Sequence, residues 1–299
     1  MAKSRVVRVK NLNIYGSNDK LNFEQVQKLI NRAIIRLTDA PDAAAAWKTI
    51  AGPGDVFGIK PNCLAGKKLS SSPAVAMAMV DGLKSAGVKM ADIIIWERSN
   101  RELERAGYKL NYAGNELRCY GNDSRGVGYG GDFHQQGRVA SLLSKIYEDQ
   151  ISKNINFPLL KDHSLAGISA GMKNMYGLVH NPNKYHPDNC NPYVAEVSAL
   201  PIVRKKNVLT VCDLTTIQYH GGPGYMANYA VRPGQIMVSF DPVALDYVGY
   251  RMIEDYRRAN GKNSLKDAGR EPVWLGTAAG LGLGQANLDD IEIIDEDIT

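Results

Sequence analysis

At 299 residues, 44% of them hydrophobic and 22% charged, the chain can bury a large core and has the make-up of an ordinary globular protein, which excludes a disordered or fibrous build. Its formal charge is only +5, and the densest basic clusters, Lys67-Lys68 and Arg204-Lys205-Lys206, have no interleaved aromatics, so no nucleic-acid partner is expected and a small anion suits the balance better. No stretch reaches membrane-spanning length and the amino terminus lacks an apolar signal core, so a cytoplasmic protein with no membrane partner is expected, unless a leader was removed.

Val6 to Val9 reads as the first strand, and Phe23, Val26, Leu29, Ile30, Ala33 and Leu37 as the buried stripe of a first helix. Val56 to Ile59 is a second strand; Ser72-Pro73 then supplies a helix start for the stripe Val75, Met79, Val80, Leu83. Ile93 to Trp96 is a third strand, after which residues 99–136 weaken into Gly, Asn, Asp and Tyr and read as a loop or lid excursion. Val139, Leu142, Leu143, Ile146 and Tyr147 predict a helix, and Ile155 to Leu160, Val208 to Leu214 and Ile236 to Phe240 predict strands. Asp241-Pro242 has the form of an N-cap followed by N1 proline, opening a helix through Val243, Ala244, Tyr247, Val248, Met252 and Tyr256. Gly280-Leu281-Gly282-Leu283-Gly284 precedes the last strand, Ile291 to Ile294, so it is a helix stop and turn and not a dinucleotide loop, which would follow a strand. Apolar strands without alternation, separated by helices, indicate one α/β domain over 1–299 with a mainly parallel sheet covered by helices on both faces.

In such sheets ligands bind past the carboxyl ends of the strands. Lys60-Pro61-Asn62, Glu97-Arg98-Ser99-Asn100, Lys161-Asp162-His163 and Asp213 followed by Tyr219-His220 all stand at such ends. His163 has the chemistry of a general acid/base or a metal ligand; its structural alternative is a cap on a nearby helix. Lys173-Asn174 follows Gly167 and Gly171, whose spacing suits close backbone approach on one helical face, and Lys173 can hold a carboxylate or phosphate. The loop from His180 to Cys190 offers His180, His186 and Cys190, with Asp213 elsewhere, as candidate ligands for a divalent transition metal; solvent-facing histidines and a turn-capping aspartate are the plainer reading. His220-Gly221-Gly222-Pro223-Gly224 can present backbone amides to an anion, or be a simple glycine turn. Cys63, Cys119, Cys190 and Cys212 are widely spaced without C-x-x-C, which argues against a zinc ribbon or ferredoxin-type cluster within the chain.

Ile59-Lys60-Pro61-Asn62, Leu160-Lys161-Asp162-His163-Ser164-Leu165-Ala166-Gly167, Met172-Lys173-Asn174-Met175-Tyr176-Gly177, Gly222-Pro223-Gly224 and Ser239 through Asp246 together resemble the domain of unknown function 362 family. That resemblance spans about residues 50 to 290 and implies an iron–sulfur association in many members, through an appended module not seen here. Over a shorter stretch, His163, Gly171, Lys173 and His186 are similar in order to residues of the nickel-pincer lactate racemases. The expectation is an enzyme acting on a small carboxylate- or phosphate-bearing substrate by proton or hydride transfer, with or without a metal. Racemase or isomerase, lyase and oxidoreductase chemistry are left open. In it His163, Lys161 and Lys173 are catalytic, and Lys60, Asn62, Asn174, His220, Gly221, Gly222 and Gly224 bind substrate. The alternatives are a redox or metal-binding partner protein without turnover, and a non-catalytic anion-binding module; a redox partner or a second copy of the chain is compatible with each.

Overall fold

The computed structural model describes residues 3–16 and 20–299. In chain order β1 (Ser4–Lys10) is followed by α1 (Phe23–Thr38) and α2 (Ala43–Lys48), β2 (Phe57–Pro61) by α3 (Pro73–Ser85), and β3 (Ile93–Glu97) by α4 (Asn100–Ala106) and β4 (Arg118–Gly121). A small hairpin, β5 (His134–Gln136) and β6 (Val139–Ser141), precedes β7 (Lys153–Phe157), β8 (Leu159–His163), β9 (Gly167–Ser169) and the one-turn helix α5 (Gly171–Asn174). Next come α6 (Tyr193–Ala199), α7 (Pro201–Lys206), the long β10 (Asn207–Gln218), β11 (Ala230–Val231), β12 (Gln235–Ser239), α8 (Pro242–Ala259), α9 (Trp274–Gly280) and β13 (Ile291–Asp297).

The main sheet runs β13-β1-β12-β10-β7-β2-β3-β4, and along this path β12 alone opposes its neighbours. The architecture is therefore α/β with a mixed, mostly parallel sheet. Apolar runs bury both faces of each strand: Ile93 and Ile95 point to the layer of α1, α2 and α3, while Ile94 and Trp96 point to the layer of α6, α8 and α9. Helix starts follow local chemistry. Ser72 Oγ accepts the Ala74 amide at 3.2 Å with Pro73 at the first helical position, and Asp241 Oδ1 accepts Val243 and Ala244 amides at 2.8 and 2.9 Å. The Gly280 to Gly284 run ends α9 and turns toward β13.

Four predicted elements take a different form. The Ile155 to Leu160 strand is interrupted at Pro158, which lacks an amide proton, so β7 pairs with Asn207–Thr210 of β10 and β8 with its farther half, up to Gln218. The predicted strand ending at Leu214 therefore runs on to Gln218, because β8 and β11 continue its pairing. β7 and β2 end together at the Pro61–Phe157 pair, and past it β8 pairs with β10 and β9 and not with β2. The predicted helix over Val139 to Tyr147 is instead β6 followed by a π-turn at Ile146–Gln150. Its backbone is engaged laterally, with the Ser144 amide given to Leu178 O at 2.9 Å and the Gly130 amide to Leu143 O at 2.8 Å. Residues 99–136 supply α4, the edge strand β4 and, at their end, β5, with irregular chain between β4 and β5. Gly167 and Gly171 do not share a helix face; Gly167 lies in β9 with φ 78° and Gly171 opens α5. No helix among the described residues is long and apolar enough to cross a membrane.

Candidate functional site

Past the ends of β2, β3 and β8 lies a cavity of about 290 Å³. Strand alternation decides which side chains enter it: on β8, Lys161 and His163 face the cavity, while Asp162 between them turns to the opposite side. Lys60 and Asn62 arrive from β2, Glu97 from β3, and Lys173 and Asn174 from α5, with His186 from the following loop. All but His186 are nearly or wholly buried.

The floor is a chain of amides and charges. Lys60 Nζ donates to both Glu97 oxygens at 3.0 and 2.9 Å and to Asn174 Oδ1 at 3.3 Å. Asn174 Nδ2 donates to Lys60 O at 3.0 Å and to Asn156 Oδ1 at 2.8 Å, which fixes its orientation and leaves its oxygen to the two donors Lys60 and Asn62. Asn62 Nδ2 reaches that oxygen at 3.3 Å, so Asn62 Oδ1 is turned toward Lys161 Nζ and accepts from it at 3.1 Å. Gly177 closes over the pair: a β-carbon there would stand 2.7 Å from Lys60 Nζ and 2.8 Å from Glu97 Oε1.

Lys60 is thus neutralised by Glu97, and Arg98 by Glu102 at 2.6 Å. Lys161 and Lys173 differ. Among the described residues neither has a carboxylate within ion-pair distance. Lys173 Nζ lies 3.1 Å from His186 Nε2 and 3.8 Å from the centre of the Tyr176 ring. His186 Nδ1 is directed at Pro182 O (3.1 Å) and Asn183 O (3.3 Å), so Nδ1 carries the proton and Nε2 accepts from Lys173. Burial in this setting pulls both ammonium groups down to about 8, and for Lys173 the nearby charge of Lys161 adds to the effect.

His163 Nδ1 accepts the Leu165 and Ala166 amides at 3.2 and 3.1 Å, pinning the β8–β9 turn. The proton therefore sits on Nε2 of a neutral ring that borders the cavity. Burial, then the charges of Lys173, His186 and Lys161, push this imidazole down to about 3. The capping role and the cavity-facing role are combined in one ring, the cap being of a hairpin turn and not of a helix. His186 stacks against it with centroids 5.9 Å apart and is lowered by burial and by Lys173.

Asp162 accepts from Arg270 at 2.6 Å, Arg257 at 3.3 Å and the Gly222 amide at 2.9 Å. A β-carbon at Gly222 would overlap the Asp162 carbonyl, so this glycine serves close backbone approach. His220 sits with Nδ1 3.1 Å from Arg257 and its ring edge-on to Tyr229 at 4.7 Å. Pro223 from this loop borders the cavity, whereas His220, Gly221, Gly222 and Gly224 do not line it.

The proposed metal ligands separate. His180 packs edge-on against Tyr129, Cys190 is buried with Sγ 3.8 Å from His186 O, and Asp213 accepts the Ser72 amide at 2.7 Å and the Thr215 amide at 2.8 Å. Among the described residues no three His, Cys, Asp or Glu side chains converge in a way that could hold a metal. The four cysteines are individually buried and unpaired, a poor fit to an iron–sulfur cluster. Glu97, Tyr176 and the His186–Lys173 contact join the expected residues at this cavity; Glu97 stands at a strand end just as Lys60 does, a signal already present in the sequence. A larger open depression of about 800 Å³ lies at the other end of the strands, by Ser4, Arg5 and Asp241, but Asp241 is consumed in capping α8 and in contacts to Ser4 and Gln285.

The model of the family described as Domain of unknown function (DUF362) matches residues 58–251, which include every residue that lines this cavity. The chain belongs to this family. No curated protein matches it. Among solved structures, a structural-genomics protein from Thermotoga maritima matches with a TM-score of 0.44 and 9% identity over 83% of this chain, which spans 60% of that neighbour's length. The similarity to nickel-pincer lactate racemases is not confirmed by these matches.

Proposed function

We propose that this DUF362 protein is an enzyme that binds a small carboxylate- or phosphate-bearing molecule in the β2/β3/β8 cavity and moves a proton on it. The observation that carries this reading is that Lys161 and Lys173 are both buried in the cavity without a carboxylate partner among the described residues. A buried ammonium without a counter-ion is costly, and a bound anion removes that cost. The anion would also raise the proton affinity of both lysines, while the neutral His163 Nε2–H is a hydrogen-bond donor at the same wall. A lysine whose basicity has been brought near neutrality is suited to take up and return a proton.

Calorimetric titration with oxalate and with inorganic phosphate tests the binding step, and incubation of small hydroxy- and oxo-carboxylates in deuterium oxide, followed by proton NMR, tests the chemistry. Saturable binding that Lys173→Met weakens, together with loss of a carbon-bound proton signal that requires His163, is the expected result. Failure of both anions to bind would sink the reading.

A further inference from the structure

Lys161 and Lys173, both without a carboxylate among the described residues, are not equivalent. Lys173 is occupied: it donates to His186 Nε2 at 3.1 Å and rests on the Tyr176 ring face at 3.8 Å, a contact that favours the charged form. Among the described residues the Lys161 amine has a single hydrogen bond, to Asn62 Oδ1 at 3.1 Å, and it is almost fully buried on the strand that also carries His163. The Asn62 amide is itself locked by Asn174, so the one contact holds the Lys161 amine at a fixed place without competing for its lone pair.

We propose that Lys161 is a nucleophile that forms an imine with a small 2-oxo carboxylate, with Lys173 holding the carboxylate and His163 Nε2–H donating to the carbonyl oxygen. This rests on the anion-binding reading above and narrows its substrate to a carbonyl acid. The free amine adds to the carbonyl carbon, one amine proton passing to the carbonyl oxygen; the second amine proton then leaves with that oxygen as water, giving imine and water with no change in redox state. Desolvation favours both steps, because burial holds a usable part of Lys161 as free amine and a dry cavity favours expulsion of water.

The test is reductive trapping. The full-length protein is incubated with pyruvate and sodium cyanoborohydride, and modified peptides are mapped by mass spectrometry; in parallel, oxalate, which cannot form an imine, is titrated calorimetrically. A stoichiometric reduced adduct on Lys161, competed away by oxalate and absent from both Lys161→Arg and Lys161→Met, is the expected result. An adduct on Lys173 or only on surface lysines, or no adduct while oxalate still binds, overturns the imine and leaves the anion reading standing. Absence of both adduct and oxalate binding overturns the two together. The mapping on the wild-type protein decides the matter even where a Lys161 variant fails to fold.

Discussion

Consecutive residues of β8 treat charge in opposite ways. On one side Asp162 is sealed between Arg257, Arg270 and the Gly222 amide, a buried carboxylate with every partner supplied by the chain. On the other, Lys161 faces a cavity with one amide oxygen for company, near a neutral His163 and Lys173, which like it has no carboxylate among the described residues. The chain compensates a buried charge with countercharges on one, closed side of the strand and leaves one without a countercharge on the other, open side, and the proposed anion would supply what the open side lacks.

Breaking the closed side should cost most. Asp162→Asn leaves two arginines without their carboxylate, and removal of one member of a buried ion network costs about 3–5 kcal/mol; urea denaturation should show a loss of that order with anion binding reduced only through unfolding. An unchanged midpoint would mean that the two sides do not differ in the way described. Breaking the open side should do the reverse. Lys161→Met removes an uncompensated ammonium, so the anion-free protein should gain on the order of 1–3 kcal/mol by the penalty for an unpaired buried polar group, while its oxalate affinity falls by at least about tenfold. Parallel urea and calorimetry measurements on this one variant check both signs.

The contrast also separates what the sequence could announce from what it could not. Lys60, Asn62, Lys161 and His163 were legible as neighbours of one cavity because apolar strand runs end just before them and ligands gather at strand ends; Lys173, on α5, was singled out by its place after Gly167 and Gly171 and by the family resemblance. Period-2 alternation also says that Lys161 and His163 share a side which Asp162 does not. Which side meets the cavity depends on Pro158 bending β8 away from β2, and on arginines about a hundred residues away in sequence. The Gly222 loop looked like an anion nest because glycine runs can serve that role, yet its amide is spent on Asp162. The Val139 to Tyr147 stripe read as a helix because its apolar spacing fits one, and Val139, Leu143, Ile146 and Tyr147 are indeed buried, but lateral hydrogen bonds to Leu178 and from Gly130 decide against a helix. His180, packed on Tyr129, and Cys190, buried beside His186 O, show that closeness along a loop does not bring side chains to one site.

A finer test uses pH. Lys161 and Lys173 both fall from the ordinary lysine range to about 8 in the folded chain, so between about pH 8 and about pH 10.5 the unfolded state binds more protons and stability rises with pH. The gain is present in full above the unfolded-state value and disappears as pH falls through about 8, amounting to no more than roughly 3–4 kcal/mol per lysine by linkage. Thermal melts at fixed ionic strength should show this rise, and saturating oxalate should flatten it by restoring the lysines' affinity for protons. A melting temperature independent of pH over that window would mean that the two ammonium groups are compensated after all.

The smallest effect on stability belongs to His163→Asn. An asparagine oxygen can stand where Nδ1 accepts the Leu165 and Ala166 amides, so the turn should survive with a change within about 1 kcal/mol. What the variant lacks is the Nε2–H at the cavity wall. Deuterium exchange into a bound oxo-carboxylate should therefore drop by about a hundredfold or more, the scale on which a positioned acid or base contributes, while oxalate binding through Lys173 is retained. Equal exchange rates in His163→Asn and the wild type would reduce the histidine to its turn, and with it the open side of β8 would be a binding surface and no more.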